Sequence, residues 1–390
     1  MHREESRVDF QLSKTHNLLR KMVRDFARKE VKPIAAEIDQ QERYPVETLA
    51  KFFANGFMSF YLPRELGGAG GDTLGYLITI EELAKACPPT GGILSGHNEA
   101  AVATICRCGT KEQKEKYLPQ LITNRLGGFT LTEPTAGSDA NGIQTRAELK
   151  GDYYLVNGTK CFVTNGGHAE LFIFMAVTDP TIKGGKGKSA FILDKNFPGV
   201  TVGKEEKMMG FHAASICELR LNNVKIPKEN LLGNEGDGLN IALGGLEGGR
   251  VIVAGEALGL AQSCIDEAIA FVNSKKLNGK KLASYQHIQF KLAEMQTQVD
   301  AARLLAYKAA SMIDHKIPCA LEASEAKYFA TKTANDIASD AVQLIGQYGY
   351  TAQYPVERYM RDAKIMEIYE GTNQIQRMVI SRALGLKTKD

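Results

Sequence analysis

Residues 365–376 read IMEIYEGTNQIQ, and the interpretation of the chain starts from this stretch. One carboxylate, Glu370, stands directly before Gly371, and a glycine lets the backbone turn sharply or approach a ligand closely. The Thr, Asn and Gln side chains that follow offer hydrogen-bond donors and acceptors suited to a polar cofactor. An ordinary helix end, with a glycine C-cap beside an exposed glutamate, explains the same letters equally well. The stretch alone leaves both interpretations open.

The bulk composition is that of a soluble globular protein. The chain has 390 residues, which leaves room for two or three domains. Its 44% hydrophobic and 24% charged residues show none of the biases of disordered or fibrous proteins. A net charge of +3 argues against a nucleic-acid-binding protein, which would usually carry a basic surface.

Cysteines and histidines indicate neither a disulfide framework nor a metal site. The seven cysteines are scattered, which suits a reducing compartment, and the close pair Cys106 and Cys108 has no second pair to complete a zinc site. No two histidines stand four residues apart. The longest apolar run, residues 251–255, is far too short to span a membrane, and no signal-peptide pattern follows the first residues. We therefore expect a cytoplasmic protein, or a mitochondrial-matrix protein in a eukaryote.

Three segments of different periodicity predict three domains. Residues 1–125 have helical spacing, residues 126–235 alternate short strands with turns, and residues 236–390 are helical again. Helices, then strands, then helices differ from the alternating units of a parallel sheet. The predicted fold is α+β and multidomain, with an N-terminal helical domain, a middle β-barrel or sandwich domain and a C-terminal four-helix bundle.

Local patterns support this division. Residues 171–177 and 189–193 are predicted buried strands, and the pair Asn157-Gly158 predicts a hairpin turn. In the C-terminal segment, small and apolar residues recur at helical spacing and predict two seams of a bundle: Ile288, Leu292, Met295, Val299, Ala302 and Ala306, then Ala326, Ala330, Thr333, Ile337, Ala341 and Leu344.

Four segments together resemble the acyl-CoA dehydrogenase family over nearly the whole chain. They read LTEPTAGSD at residues 131–139, KCFVTNGG at 160–167, VKIP at 224–227 and RDAKIMEIYEGTNQIQ at 361–376. One such segment would be a weak signal, whereas four in the right order are specific. The resemblance implies an enzyme that binds FAD between the β domain and the C-terminal bundle, with an acyl-CoA thioester against the flavin.

The resemblance assigns most of the cofactor site by position. Aromatic side chains can stack on a flavin, and hydroxyls and amides tune it through hydrogen bonds. Strand and turn positions in an ordinary core would explain the same hydroxyls and the aromatic Phe162. The residues assigned to FAD are Phe129, Leu131, Thr132, Ser138, Phe162, Thr164, Lys275, Gln343, Gly346, Thr372 and Gln374.

Glu370 is the catalytic base that the resemblance implies. The α-hydrogen of a thioester is weakly acidic, so its removal needs a positioned carboxylate of raised pKa. Some family members carry the base just before the arginine that matches Arg250, but Gly249 stands there, and Glu247 is two residues too early. The residues that would contact the acyl-CoA are Ser138, Arg250, Tyr369 and Gly371.

The implied function is α,β-dehydrogenation of a short- or medium-chain acyl-CoA to the 2-enoyl-CoA, as in fatty acid β-oxidation. The implied partners are an electron-transferring flavoprotein and three further copies of the chain in a homotetramer. Two alternatives stay open: an enoyl-CoA reductase working in the reverse direction, and a flavin-free subunit that only binds acyl-CoA or a partner.

Two departures from the family pattern and one absent arginine bear on these expectations. Lys275 and Asn278 replace an arginine and a phenylalanine that reach the flavin of a neighbouring subunit, so the bidentate fork and the aromatic surface are lost. His97 and Glu99 lie in the helix expected to line the acyl pocket, and they either point away from it or recognise an unusual acyl group. Positions 91 and 92 are both glycine, so no arginine is present there to bind a second carboxylate, which disfavours a dicarboxylic substrate.

Overall fold

The computed structural model describes residues 11–182 and 184–386. In these ranges a group of helices is followed by a β sheet and then by a second group of long helices, which confirms the predicted fold class. The last helix of the first group ends at Thr123 and the first strand begins at Gly127. None of the helices in the described ranges is long and apolar enough to cross a membrane.

The first group of helices packs around one buried helix, α4, which an Asp72 side chain caps at its N-terminus by accepting the N–H of Gly75 at 2.7 Å. Almost every residue of α4 is buried, because α4 lies between α1 and the long helix of the C-terminal group. The helices are α1 (Lys14–Phe26), α2 (Ala35–Gln40), α3 (Val46–Ala54), α4 (Thr73–Ala86), α5 (Pro88–His97), α6 (Ala103–Cys108) and α7 (Lys111–Thr123).

The middle strands form one sheet of eight strands in the order β6-β7-β3-β2-β4-β5-β8, with β1 paired to β4 in parallel. Its core lies along β4 and β5, whose side chains are nearly all buried. The strands are β1 (Gly127–Thr130), β2 (Arg146–Lys150), β3 (Tyr153–Thr164), β4 (Leu171–Val177), β5 (Lys188–Asp194), β6 (Val200–Glu205), β7 (Ile216–Pro227) and β8 (Leu231–Leu232).

The hairpin predicted at Asn157-Gly158 is wrong. Both residues lie inside β3, where the register against β7 shifts between Val156 and Gly158. A Cβ at Gly158 would come within 2.3 Å of the Thr145 hydroxyl, so the glycine is required for close approach in a bulge. The turn that joins β2 to β3 instead contains Gly151, which has a φ of 70°.

The C-terminal helices pack around α9, which contacts α4, α10 and α11. Both predicted seams are confirmed, since their residues are buried or half-buried along α10 and α11. A short hairpin separates α9 from α10. The elements are α8 (Gly238–Leu243), α9 (Leu246–Ser274), β9 (Lys276–Leu277), β10 (Lys280–Lys281), α10 (Gln286–Asp314), α11 (Ala320–Ile345), α12 (Val356–Met366) and α13 (Asn373–Ala383).

Candidate active site

The turn between α12 and α13 carries Glu370 in an unusual backbone conformation. Glu370 has a φ of 52° and Gly371 a φ of 85°, so two consecutive residues lie in the left-handed region. A non-glycine residue there is strained and persists only where the surroundings hold it. The C-cap of α12 is Glu367, and Thr372 caps α13 by accepting the N–H of Ile375 at 3.3 Å. Gly371 is therefore part of a link between two helices rather than a simple C-cap.

Side chains from α11 and α13 hold this turn by its carbonyl oxygens. Lys327 donates to the carbonyl of Gly371 at 2.9 Å and to the side chain of Asn373 at 3.1 Å. Gln376 donates to the same carbonyl at 2.8 Å. Sequence reasoning missed Lys327, although a lysine inside the small-residue seam between Ala326 and Ala330 is a signal of a buried cation. Burial lowers the pKa of Lys327 to about 8, against the opposing charge of Glu370.

The Glu370 carboxylate lies against the start of α9, where no side chain stands in its way. A Cβ at Gly249 would be 3.1 Å from Glu370 Oε2, so the glycine at this position makes room for the acid. The carboxylate accepts no hydrogen bond from any residue that the structure describes, and Glu370 is exposed to solvent. Although Glu370 is exposed, the protein atoms packed around its carboxyl group raise its pKa by removing water from it, whereas the charges of Lys327 and Arg250 lower it. This is a free carboxylate of raised pKa near two cations.

Arg250 lies one residue further along α9 and is buried. It donates to the Ser324 hydroxyl at 3.3 Å, while its Nε has no partner among the described residues. Burial lowers the pKa of its guanidinium, and the carboxylates of Glu247 and Glu370 offset part of that effect. Arg250 thus lies within electrostatic range of Glu370 without forming an ion pair with it.

Part of the predicted cofactor surface lies on β1 and β3. Phe162 has a φ of 54° and sits where the register of β3 shifts, so its ring points outward and is 61% exposed. An exposed phenylalanine at a strained position fits an aromatic surface for a planar ligand rather than a core residue. Phe129, Leu131 and Thr132 are half-buried, and the N–H of Cys161 donates to the Thr132 carbonyl at 3.0 Å.

A buried ion pair that sequence reasoning missed joins these two segments. Lys160 donates to Glu133 at 2.7 Å, and both side chains are almost fully buried. Glu133 also accepts the backbone N–H groups of Gln144 and Thr145, at 2.6 Å and 3.1 Å. The pair holds the start of the 131–139 segment against β3, two residues before Phe162.

Helix α5 links this strand surface to the Glu370 turn. On one side, a Cβ at Gly96 would lie 3.3 Å from the Thr164 methyl group. On the other side, the hydroxyls of Ser95 and Tyr369 both bond to the buried Glu256 of α9. The structure therefore brings Thr164, Tyr369, Gly371 and Glu370 to one region. Ser138 and Gln374 are exposed, and Thr372 is the cap of α13 described above.

The remaining predicted cofactor residues lie at the opposite end of the bundle. Lys275 follows the last turn of α9, about 39 Å along that helix from Gly249 at ~1.5 Å per residue. Its ammonium group is 5.1 Å from the ring of Tyr348, near the end of α11 where Gln343 and Gly346 lie. A single chain does not bring Lys275, Gln343 and Gly346 together with Glu370.

His97 and Glu99 have different environments. His97 is fully buried and accepts the N–H of Gly127 at 2.9 Å, while its other nitrogen bonds to the carbonyl of Met58. Glu99 instead lines a cavity of about 340 Å³ together with Tyr61, Arg107 and Glu247. A Cβ at Gly248 would be 3.1 Å from Glu99, so this carboxyl faces the same turn of α9 as Glu370. Only His97 fits the expectation that both side chains point away from the site.

Comparison with known proteins gives one consistent result. Family models for the N-terminal, middle and C-terminal domains of acyl-CoA dehydrogenases match residues 13–125, 128–224 and 236–385. The short-chain-specific acyl-CoA dehydrogenase of Clostridium acetobutylicum is 47% identical over 375 residues, which are 96% of this chain and 99% of that protein. The caffeyl-CoA reductase-Etf complex subunit CarC of Acetobacterium woodii is 42% identical over 374 residues, 95% and 98% of the two chains. The solved butyryl-CoA dehydrogenase of Megasphaera elsdenii has a TM-score of 0.94 and 42% identity, and the match covers 97% of this chain and 100% of that one.

Proposed function

The chain belongs to the acyl-CoA dehydrogenase family, oxidoreductases that act on a CH–CH bond, and we propose that it interconverts a short-chain acyl-CoA and its 2-enoyl-CoA with Glu370 as the base. The observation that carries this proposal is the free carboxylate of Glu370 against Gly249. It has no hydrogen-bond partner in the described ranges, the protein atoms around the carboxyl group raise its pKa, and Lys327 and Arg250 are near enough to stabilise its charged form.

The backbone around Glu370 also offers a group for the thioester carbonyl. The N–H of Glu370 donates to no other group in the part of the chain that the structure describes, because the left-handed turn interrupts the helical pattern there. An unpaired N–H beside the base is suited to stabilise the enolate-like charge that forms as the α-proton leaves. Glu247 is a weaker candidate for the base, since it accepts a hydrogen bond from the thiol of Cys319.

FAD fits the surface formed by Phe162, Thr164 and the 129–132 segment. Phe162 would cover its ring, and Thr132 and Thr164 would bond to it, with Thr372 and Gln374 near its phosphate side. When bound, FAD supplies the two-electron acceptor for the hydride from the β-carbon. The Lys275 end of the bundle lies too far away to serve the same site, which supports an oligomer. In the homotetramer that the resemblance implies, Lys275, Gln343 and Gly346 would serve a neighbour's cofactor.

The surroundings of Gly91 favour an uncharged acyl chain. A Cβ added at Gly91 would lie 3.6 Å from Glu256 Cγ and 3.9 Å from Glu256 Oε1, so among the described residues a carboxyl group rather than a cation lies next to this position. This supports the expectation that a dicarboxylic substrate is disfavoured. An electron-transferring flavoprotein is the expected redox partner, because the Acetobacterium relative is a subunit of an Etf complex.

Reduction of an enoyl-CoA is the second candidate function. The relative from Acetobacterium woodii is named a caffeyl-CoA reductase subunit at 42% identity, so the direction differs among similar chains. The same Glu370 would then donate the α-proton to the product rather than remove it from the substrate.

Anaerobic mixing of the purified protein with saturated acyl-CoAs, from propionyl to octanoyl with branched and cyclic members, tests the function. We expect a short member to bleach the flavin absorbance rapidly. Bleaching by none, with reoxidation by an enoyl-CoA of the chemically reduced protein, would favour the reductase. A colourless protein that FAD does not turn yellow would refute both redox functions and leave the binding subunit.

Glu370→Gln tests the base. The variant should keep FAD and acyl-CoA binding but exchange the substrate α-proton with D₂O at least ~100-fold more slowly, as expected for loss of a general base. Glu247→Gln is the matched control and should exchange at the wild-type rate. Exchange at the wild-type rate in Glu370→Gln would move the base to another residue.

A further inference from the structure

Glu256 is a buried carboxyl group that joins three elements beside the candidate active site. Its exposure is 0%, and it lies on α9 between α5 and the turn that carries Glu370. Tyr369 Oη bonds to one of its oxygens, and Ser95 Oγ lies 3.1 Å from the other. The residues are separated by more than a hundred positions along the chain, so this contact exists only in the folded protein.

No lysine, arginine or histidine forms an ion pair with Glu256 in residues 11–182 and 184–386. The titratable groups that face it are Tyr369, Tyr76 of α4 and Glu370. A buried carboxyl without a cation is most stable in its neutral form. Burial, with a smaller contribution from the charge of Glu370, raises the pKa of Glu256 to about 7, although the hydrogen bonds of Tyr369 and Ser95 lower it.

A proton on Glu256 also completes the hydrogen-bond network. Ser95 Oγ lies 3.1 Å from the carbonyl of Gly92 as well as from Glu256, but a serine hydroxyl has one proton to donate. When Glu256 is protonated it donates to Ser95, Ser95 donates to Gly92, and Tyr369 donates to the second carboxyl oxygen. Every group then has a partner.

Tyr369 transmits this contact to Glu370, because the two residues are adjacent. The Tyr369 ring is held at its hydroxyl by Glu256 and packs edge-on against Phe211, with 6.0 Å between ring centroids. The next residue, Glu370, has the strained φ of 52°, which needs an outside restraint. Among the described side chains, Glu256 is the only one that hydrogen-bonds Tyr369.

We propose that Glu256 is a positioning residue that holds Tyr369 and thereby fixes the direction in which the Glu370 carboxylate points. This inference rests on the proposed role of Glu370 as base. Glu256 acts in its neutral form, so it adds no negative charge next to the carboxylate that must accept a proton.

The experiment compares α-proton exchange of saturating butyryl-CoA in D₂O among Glu256→Gln, Glu256→Ala and Tyr369→Phe. Glutamine keeps an acceptor for Tyr369 and a donor for Ser95, so we expect less than a threefold loss. Alanine and phenylalanine break the contact, and we expect at least a tenfold loss of the exchange rate with less than a threefold change in the Kd of butyryl-CoA. Glu256→Ala combined with Tyr369→Phe should be no slower than the slower single variant.

Two further readouts separate positioning from general stability. Tyr154→Phe removes an equivalent hydrogen bond from a buried tyrosine to Glu235 in the β domain, and it should exchange at the wild-type rate. Above pH 7, where Glu256 loses its proton, the wild-type exchange rate should fall relative to that of Glu256→Gln.

Each remaining outcome has one meaning. A folded, yellow Tyr369→Phe protein that exchanges at the wild-type rate would overturn the inference, as would equal losses in Glu256→Gln and Glu256→Ala. Absence of exchange in the wild-type protein with any acyl-CoA would refute the proposed function itself, which distinguishes the two failures.

Discussion

Breaking the buried pair between Lys160 and Glu133 should destabilise the β domain and release the cofactor. Burial raises the pKa of Glu133, but the charge and hydrogen bond of Lys160, with the bonds of Thr145 and Gln144, lower it overall. Lys160→Met leaves a buried carboxylate with two backbone N–H donors and no cation. Removing one partner of such a pair costs about 3–5 kcal/mol. Since two donors remain, we expect about 3 kcal/mol in the free energy of unfolding.

Urea unfolding followed by circular dichroism, with FAD release measured by fluorescence, checks this value at pH 7.5. The FAD content should fall with stability, because the pair joins the 131–139 segment to β3, and both carry residues of the proposed FAD surface. Lys160→Met combined with Glu133→Gln should recover at least half of the loss, since the uncompensated charge is gone.

The matched control is Lys332→Met, which breaks the exposed pair with Asp336 on α11. An exposed ion pair contributes about 0–1 kcal/mol, so this variant should stay within about 1 kcal/mol of wild type. Equal losses in Lys160→Met and Lys332→Met would refute the reasoning, because burial of the pair would then make no difference.

Two other predictions concern Gly249 and His97. Gly249→Ala should slow α-proton exchange at least ~10-fold, because the added Cβ would lie 3.1 Å from the Glu370 carboxylate. The control Gly248→Ala places a Cβ at the same distance from Glu99 and should slow the exchange less. Equal effects of the two substitutions would contradict the assigned role of Gly249. Burial lowers the pKa of His97 to about 4. The stability that neutral His97 provides is therefore fully present above pH 6.5 and is lost as the pH falls through 4. The free energy of unfolding should decrease by up to about 3 kcal/mol over this range. Urea titrations from pH 7 to pH 4 should show this loss in the wild-type protein but not in His97→Gln, and parallel curves would contradict it.

The sequence predicts which segments form helices and which form strands, because helices and strands differ in the local spacing of their apolar residues. The seams on α10 and α11 are buried as their spacing predicts. The Asn157-Gly158 pair shows where such reasoning fails. Its letters favour a tight turn, but β3 continues through them because pairing with β2 and β7 on both sides outweighs the local preference.

The candidate site divides in the same way. Glu370, Gly371 and Thr372 are adjacent in the chain, so their motif is recognisable from the sequence alone. Lys327 and Glu256 were missed, because each looks like an ordinary residue of an amphipathic helix until its partner is known. The sequence left two orientations open for Glu99. Only the structure shows that its carboxyl group lines a cavity together with Tyr61, Arg107 and Glu247.

The sequence by itself determined the order of the three domains, the family and the identity of the candidate base. These properties depend on periodicity and on contiguous motifs. Only the tertiary structure decided that Gly249 leaves space for Glu370, that Glu256 bonds to Tyr369 across 113 positions, and that Lys275 lies at the far end of the bundle. The physical reason is that helix packing brings distant side chains together, and the pattern of each helix specifies which face is buried but not which residue it will meet.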